Sequence, residues 1–236
     1  MSLRILRPGV LTTVQDRGRP GLQHLGIVLG GAMDPVAYEF ANALVGNEAG
    51  EAALEITLLG PQIGFEDDAL VALCGAQFDA TVDGQALPRD RPVLLRAGST
   101  LATGRARHGC RGYLAVAGGL ALEPVLGSRS TYLPAAFGGL QGRALRAGDA
   151  LPLVPEAAGL AHERAARLRM HAAPGARLHS VHWSAPSLTP PEGEFAVVHA
   201  IEGRHFAWFD AASQRSLFDT PWRVSPASDR MGFRLL

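Results

Sequence analysis

The residues best suited to chemistry lie in one stretch, Thr12 to Asn47, reading TTVQDRGRPGLQHLGIVLGGAMDPVAYEFANALVGN. Gln15, Asp16, Arg17 and Arg19 stand close together among glycines. Guanidinium forks bind a carboxylate or phosphate in a planar, bidentate way, and Asp16 can orient one fork or accept from an amide. The same residues also suit a structural loop, with Asp16 capping a turn and the arginines solvated. Further on, Gly30-Gly31-Ala32-Met33-Asp34 brings backbone N–H groups to a helix start, which favours an anion or a developing oxyanion. The alternative is that Asp34 fills those donors as an ordinary N-cap. Asn42 follows roughly two turns into the helix, a polar residue in apolar company. Glu55 interrupts the apolar run AALEITLL. Facing inward, it needs a partner such as Arg or it becomes an acid/base candidate. Facing outward, it is an ordinary alternating strand residue. Ser128, Arg129 and Ser130 form a hydroxyl-rich loop with one Arg, suited to an anion or amide ligand or to a plain turn. Asp229 and Arg230 supply a second Asp-Arg pair, which local ion pairing also explains. Asp16, Arg17 and Glu55 are the catalytic candidates, and the other residues are candidates for binding substrate.

These groups need a scaffold. Residues 3–6, 10–14, 25–29, 52–59, 69–74, 92–95, 100–103, 112–117 and 145–154 read as short strands. Asp83-Gly84 marks a hairpin between 78–82 and 85–87. Asp34-Pro35 starts a helix, Val36, Phe40 and Leu44 supply its apolar stripe, and Gly46-Asn47 ends it. The fold class expected is mainly β with a few short helices, as a barrel or sandwich. Residues 156–175, rich in Ala, Arg and Glu, read as a short helix or a linker. They separate a first domain (1–155) from a second (176–236), where strands are expected at 177–183, 195–201, 222–224 and 233–236 and a helix at 206–218.

Composition excludes several function classes. The 236 residues balance 22 basic against 22 acidic side chains, so no strongly basic surface draws nucleic acid. All the basic residues are arginine. Without lysine there is no P-loop lysine, no Schiff base and no attachment point for biotin. No apolar run reaches the roughly 18 residues of a membrane span. The N-terminus lacks a secretory signal, and Cys74 and Cys110 read as buried, reduced thiols of a cytoplasmic protein. The scattered histidines lack ligand spacing, so no metal is expected.

The segments TTVQDRGRPG, GGAMDPVAYEFANALVGN, ALEITLLGP, GYLAVAGG, LGSRSTY, GRALRAGDAL and SDRMGFRL, in this order, resemble the biotin-dependent carboxyltransferase-type family. That family includes the PxpC component of 5-oxoprolinase, the Kip-type antagonist KipA, proteins labelled allophanate hydrolase subunit 2, and part of the urea carboxylase carboxyltransferase domain. The resemblance implies cyclophilin-like β-barrels. Members continue past the SDRMGFRL motif, so the second barrel is expected to be incomplete at Leu236. It implies two partners, a KipI-like protein and a LamB/YcsF-like protein, acting together with ATP to open 5-oxoproline, a lactam, to L-glutamate. The alternatives it implies are carboxyl transfer to a urea-type amide, or a non-catalytic KipA-like role against a KipI-like protein. In the enzymatic readings Arg17 and backbone donors near Gly31 are expected to stabilise negative charge at an amide carbonyl.

Overall fold

The computed structural model describes residues 1–154, 159–186, 199–228 and 232–236. The chain divides into two compact units, Met1–Pro190 and Pro191–Leu236. The first unit is built on two antiparallel sheets of six strands each. One runs in the spatial order β11 (Ala150–Pro152), β1 (Ser2–Arg7), β4 (Gln62–Phe65), β9 (Thr100–Ala102), β6 (Thr81–Val82), β7 (Gln85–Ala86). The other runs β12 (Leu178–Ser180), β8 (Val93–Leu95), β5 (Ala69–Phe78), β10 (Ala106–Val116), β3 (Ala53–Thr57), β2 (Leu11–Gln15). This is the mainly β architecture expected, and the sheets remain open at their edges among the described residues.

The second sheet is covered on both faces, and period-2 alternation decides which residue meets which neighbour. Leu54, Ile56, Val71, Leu73, Leu114 and Val116 turn inward and pack with Leu3, Ile5, Ile63 and Phe65 of the first sheet. Their neighbours Ala53, Leu70, Ala72, Cys74, Tyr113 and Ala115 turn the other way, against helices α1 (Pro35–Val45) and α2 (Leu160–His171). Glu55 shares that helix-covered face. It is opposite Thr13 on one side and Tyr113 on the other, and Tyr113 is opposite Cys74. Four strands therefore lay one polar row beneath the start of α1.

Helix α1 begins and ends as its sequence predicts. Asp34 caps it by accepting from the Ala37 amide, Pro35 takes the first position, and Gly46 ends it in the left-handed region. Its buried face is different from the stripe expected. Ala37, Tyr38, Ala41, Asn42, Leu44 and Val45 face inward, whereas Val36 is 62% exposed. Alanines let the helix lie close to the sheet, and Ala37 reaches the Gly75 position.

Further expectations are corrected. Residues 25–29 are not a strand. A 3-10 turn at Gln23–Leu25 ends at Gly26 in the left-handed region, and the chain then returns as a loop. Strand β4 has no clear sequence signal, because Gly64 breaks its short pattern. Cys110 is exposed, and only Cys74 is buried. Within the segment expected as a helix or linker, Leu160–His171 form α2, which buries Ala161, Ala165 and Leu168. Arg164 donates to the terminal carbonyls of α1 at Ala43 and Leu44.

In the second unit, the expected helix over 206–218 is two pieces, a 3-10 turn (Phe206–Trp208) and α3 (Ala211–Asp219). Asp210 separates them because its carboxylate caps α3 through the Ser213 amide. Val224 and Leu235 form a bridge, joining the segments expected as strands at 222–224 and 233–236. Residues 195–198 of the expected strand lie outside the described residues.

Candidate functional site

The two arms of the Thr12–Asn47 stretch meet at the end of β2. The Ala32 amide donates to the Asp16 carbonyl, and the Arg19 amide donates to the Leu29 carbonyl at 2.7 Å. These bonds close residues 19–30 into a loop with joined ends. Gly18 and Gly31 make the closure possible. Both have positive φ, and a Cβ at Gly18 would sit 2.3 Å from the Leu29 oxygen.

Asp16 is buried, and its carboxylate is fully engaged within the protein. It accepts from the Ser128 and Ser130 hydroxyls and from the amides of Arg129 and Gly18. The Asp16 amide donates back to Ser130 Oγ. Arg19 is only 1% exposed. Its guanidinium donates to the carbonyls of Val125, Ser128 and Ser130 and lies 4.7 Å from the Phe137 ring centre. Burial pushes Arg19 below its usual range, and the nearby Asp16 charge opposes that shift. Gln15, also buried, donates to Thr13 Oγ1 and the Thr131 carbonyl, and its Oε1 has no hydrogen-bond partner among the described residues. The structure thus joins Gln15, Asp16, Arg19, Ser128, Arg129 and Ser130 in one cluster. Residues separated by more than a hundred positions are fixed to one another there.

A second cluster surrounds Glu55, which is buried on the helix-covered face. Its Oε2 accepts from the Met33 amide at 2.9 Å and from the Tyr113 hydroxyl at 2.8 Å. Arg111 Nε lies 3.5 Å from Oε1. The Tyr113 hydroxyl in turn accepts from the Asp34 amide at 2.7 Å. Burial, reinforced by the Glu55 charge, pushes the Tyr113 phenol far above its usual range, so it stays a neutral donor. Sequence reasoning misses Tyr113. The available signal is its place in GYLAVAGG, one strand from Glu55. The donors expected at the start of α1 are therefore committed: Ala32 to Asp16, Met33 to Glu55, Asp34 to Tyr113 and Ala37 to the Asp34 cap.

Arg17 is the member of the stretch that faces solvent. It pairs with Glu39 at 2.9 Å, and both side chains are about half exposed. The two line a cleft of roughly 210 Å³ together with Asn42, Asn47, Glu48 and Gly50. Asn42 is part of the cleft's framework. Its amide group donates to the Glu51 carbonyl, while its oxygen accepts from Asn47. Asn47 also donates to the Val116 carbonyl and accepts from the Gly118 amide. Asp229 and Arg230 lie outside the described residues. Among the described residues no group of three or more His, Cys, Asp or Glu side chains comes together as a metal would require. No helix among them is long and apolar enough to cross a membrane.

A sequence model of the carboxyltransferase domain, subdomains A and B, matches residues 25–236. The chain belongs to this carboxyltransferase-domain family. Among its relatives, the PxpC component of Escherichia coli 5-oxoprolinase is 40% identical over 99% of this chain and 68% of its own length. Saccharomyces cerevisiae urea amidolyase is 40% identical over 64% of this chain and 8% of its own. The crystal structure of Kluyveromyces lactis urea carboxylase superposes with a TM-score of 0.81 at 31% identity, covering all of this chain and 20% of that one. The chain thus spans about two thirds of the bacterial relative and a small share of the fungal ones.

Proposed function

We propose that this family member serves as a PxpC-type component of an ATP-dependent 5-oxoprolinase complex, contributing to opening of 5-oxoproline to L-glutamate. The observation that carries this reading is the 40% identity to the E. coli 5-oxoprolinase component across almost the whole chain. The proposed partners are a KipI-like protein and a LamB/YcsF-like protein. The proposed contribution of this chain is the Arg17 cleft. Its guanidinium is accessible and can favour negative charge on a lactam carbonyl oxygen, whereas the buried Asp16 and Glu55 clusters position the loops around it. The described residues do not fit a triphosphate. The chain has no lysine, and the amides at the start of α1 are held by Glu55, Tyr113 and Asp34. ATP is therefore assigned to a partner protein.

The second reading is carboxyl transfer to a urea-type amide, favoured by the similarity to urea amidolyase. With no lysine in the chain, it requires a biotin carrier on another protein. The two readings separate in one assay. The chain and its candidate partners are supplied with ATP and either 5-oxoproline, or urea with a biotinylated carrier and bicarbonate. ATP turnover dependent on 5-oxoproline is expected. Turnover that needs urea and the carrier overturns the first reading in favour of the second.

A further inference from the structure

The clamp around Asp16 and Arg19 presents two loops whose outer surfaces are apolar. Leu25 is 65% exposed, Leu29 45%, Leu126 51%, Val125 39% and Leu133 36%. Scattered exposed leucines are ordinary on a protein surface, so contiguity is what counts. Arg19 supplies it. Its backbone amide holds the Leu29 carbonyl, its side chain holds the Val125 carbonyl, and its guanidinium stacks over Phe137. Both loops are also depleted of charge. No Asp, Glu, Lys or Arg occurs between Pro20 and Met33, between Pro124 and Ser128, or between Ser130 and Gly142, although such residues make up 19% of the whole sequence. Charge depletion with apolar side chains is the mark of a protein interface core, and the uncharged surface offers nothing to nucleic acid or an anionic membrane. The loops are also fixed in advance. Gly138 has positive φ, and a Cβ there would sit 2.1 Å from the Ser130 oxygen and 2.5 Å from Arg19 Nη2. A rigid surface loses little conformational freedom on docking.

We propose that the paired loops, residues 20–30 and 124–137, are the docking surface for a heterologous protein that presents an uncharged, apolar face. This rests on the reading of the chain as one component of a complex, which favours a different protein over a second copy. The side chains that enter the interface are Leu25 and Leu126, with Leu29, Val125 and Leu133 around them.

The test mixes the purified full chain with each candidate partner, the KipI-like and the LamB/YcsF-like protein, and measures affinity by titration calorimetry. Leu25→Arg and Leu126→Arg each place an unpaired charge at the centre of the surface. Val10→Arg, in the turn at the other end of β2 and also 65% exposed, is the control. Thermal melts check that all three fold as the parent chain does. The expected result is a loss of affinity of at least tenfold in each leucine variant, with Val10→Arg unchanged. Leucine variants that bind as well as the parent chain overturn the docking surface and leave the complex reading standing. A parent chain that binds neither partner overturns the complex reading and the partner class together. Two other results overturn the commitment to a heterologous protein: a homodimer of the parent chain that the leucine variants abolish, or binding to phosphatidylcholine vesicles that they abolish.

Discussion

Asp16 and Ser130 hold each other twice, although 114 residues separate them. The Asp16 amide donates to Ser130 Oγ at 2.8 Å, and the Ser130 hydroxyl donates to Asp16 Oδ1. With the Ser128 hydroxyl and the Arg129 amide on the same carboxylate, the pair fastens the loop after β10 to the end of β2.

Asp16→Ala removes the acceptor for two hydroxyls and two amides in a buried place. We expect it to destabilise the chain by about 3 kcal/mol, the range for losing charged hydrogen bonds and leaving donors unpaired. Denaturant unfolding measures this. A loss under about 0.5 kcal/mol would show that the clamp is not holding the fold.

Arg17→Ala separates chemistry from folding, because Arg17 is exposed and its partner Glu39 is also half exposed. The expected change in stability is under about 0.5 kcal/mol. The expected fall in activity of the assembled complex is about tenfold or more, the effect of one charge-assisted contact at a reacting carbonyl. Unchanged turnover in the reconstituted complex would remove the cleft from the proposed mechanism.

Tyr113→Phe tests the second cluster. It leaves the buried Glu55 carboxylate short of one donor and the Asp34 amide without its acceptor. The expected cost is about 2 kcal/mol. Increased exchange of the Asp34 amide with solvent deuterium is the accompanying signature, and equal protection in both proteins contradicts it.

Much of the fold is legible in the sequence, and what is not has physical causes. The Asp34-Pro35 start and Gly46 end of α1 are readable because caps are local chemistry. The Asp83-Gly84 hairpin is readable for the same reason, and both residues have positive φ. Periodicity misjudges the buried face of α1 because a helix lying close on a sheet is lined by alanines, which count as nearly neutral. The apolar run 25–29 reads as a strand because its exposure is a tertiary fact. The Asp16 cluster stands out as too polar for a simple loop, but its partners lie more than a hundred residues away and no local rule reaches them. The same problem of distance hides Tyr113, which only the strand register sets beside Glu55.

The pair Arg143–Asp149 predicts a pH dependence. Two hydrogen bonds from the Arg143 guanidinium, at 2.7 and 2.8 Å, and one from the Arg146 amide hold the Asp149 carboxyl below its usual range. A carboxyl whose pKa is lower folded than unfolded contributes its full stabilisation above the unfolded value, about pH 4, and loses it as pH falls through the folded value. Asp149→Asn should therefore melt below the parent chain at pH 7, by a difference worth about 1 kcal/mol. The two melting curves should converge as pH falls below about 4. A gap that stays constant down to about pH 2 would contradict the assignment.

Reconstitution tests most directly whether this chain is a working component of a 5-oxoprolinase complex. The chain, the KipI-like protein and the LamB/YcsF-like protein are combined with ATP, and loss of 5-oxoproline is followed together with formation of L-glutamate. Conversion is expected with all three proteins, and little or none when this chain is left out. Equal conversion by the two partners alone, or none by the complete mixture, would contradict that role.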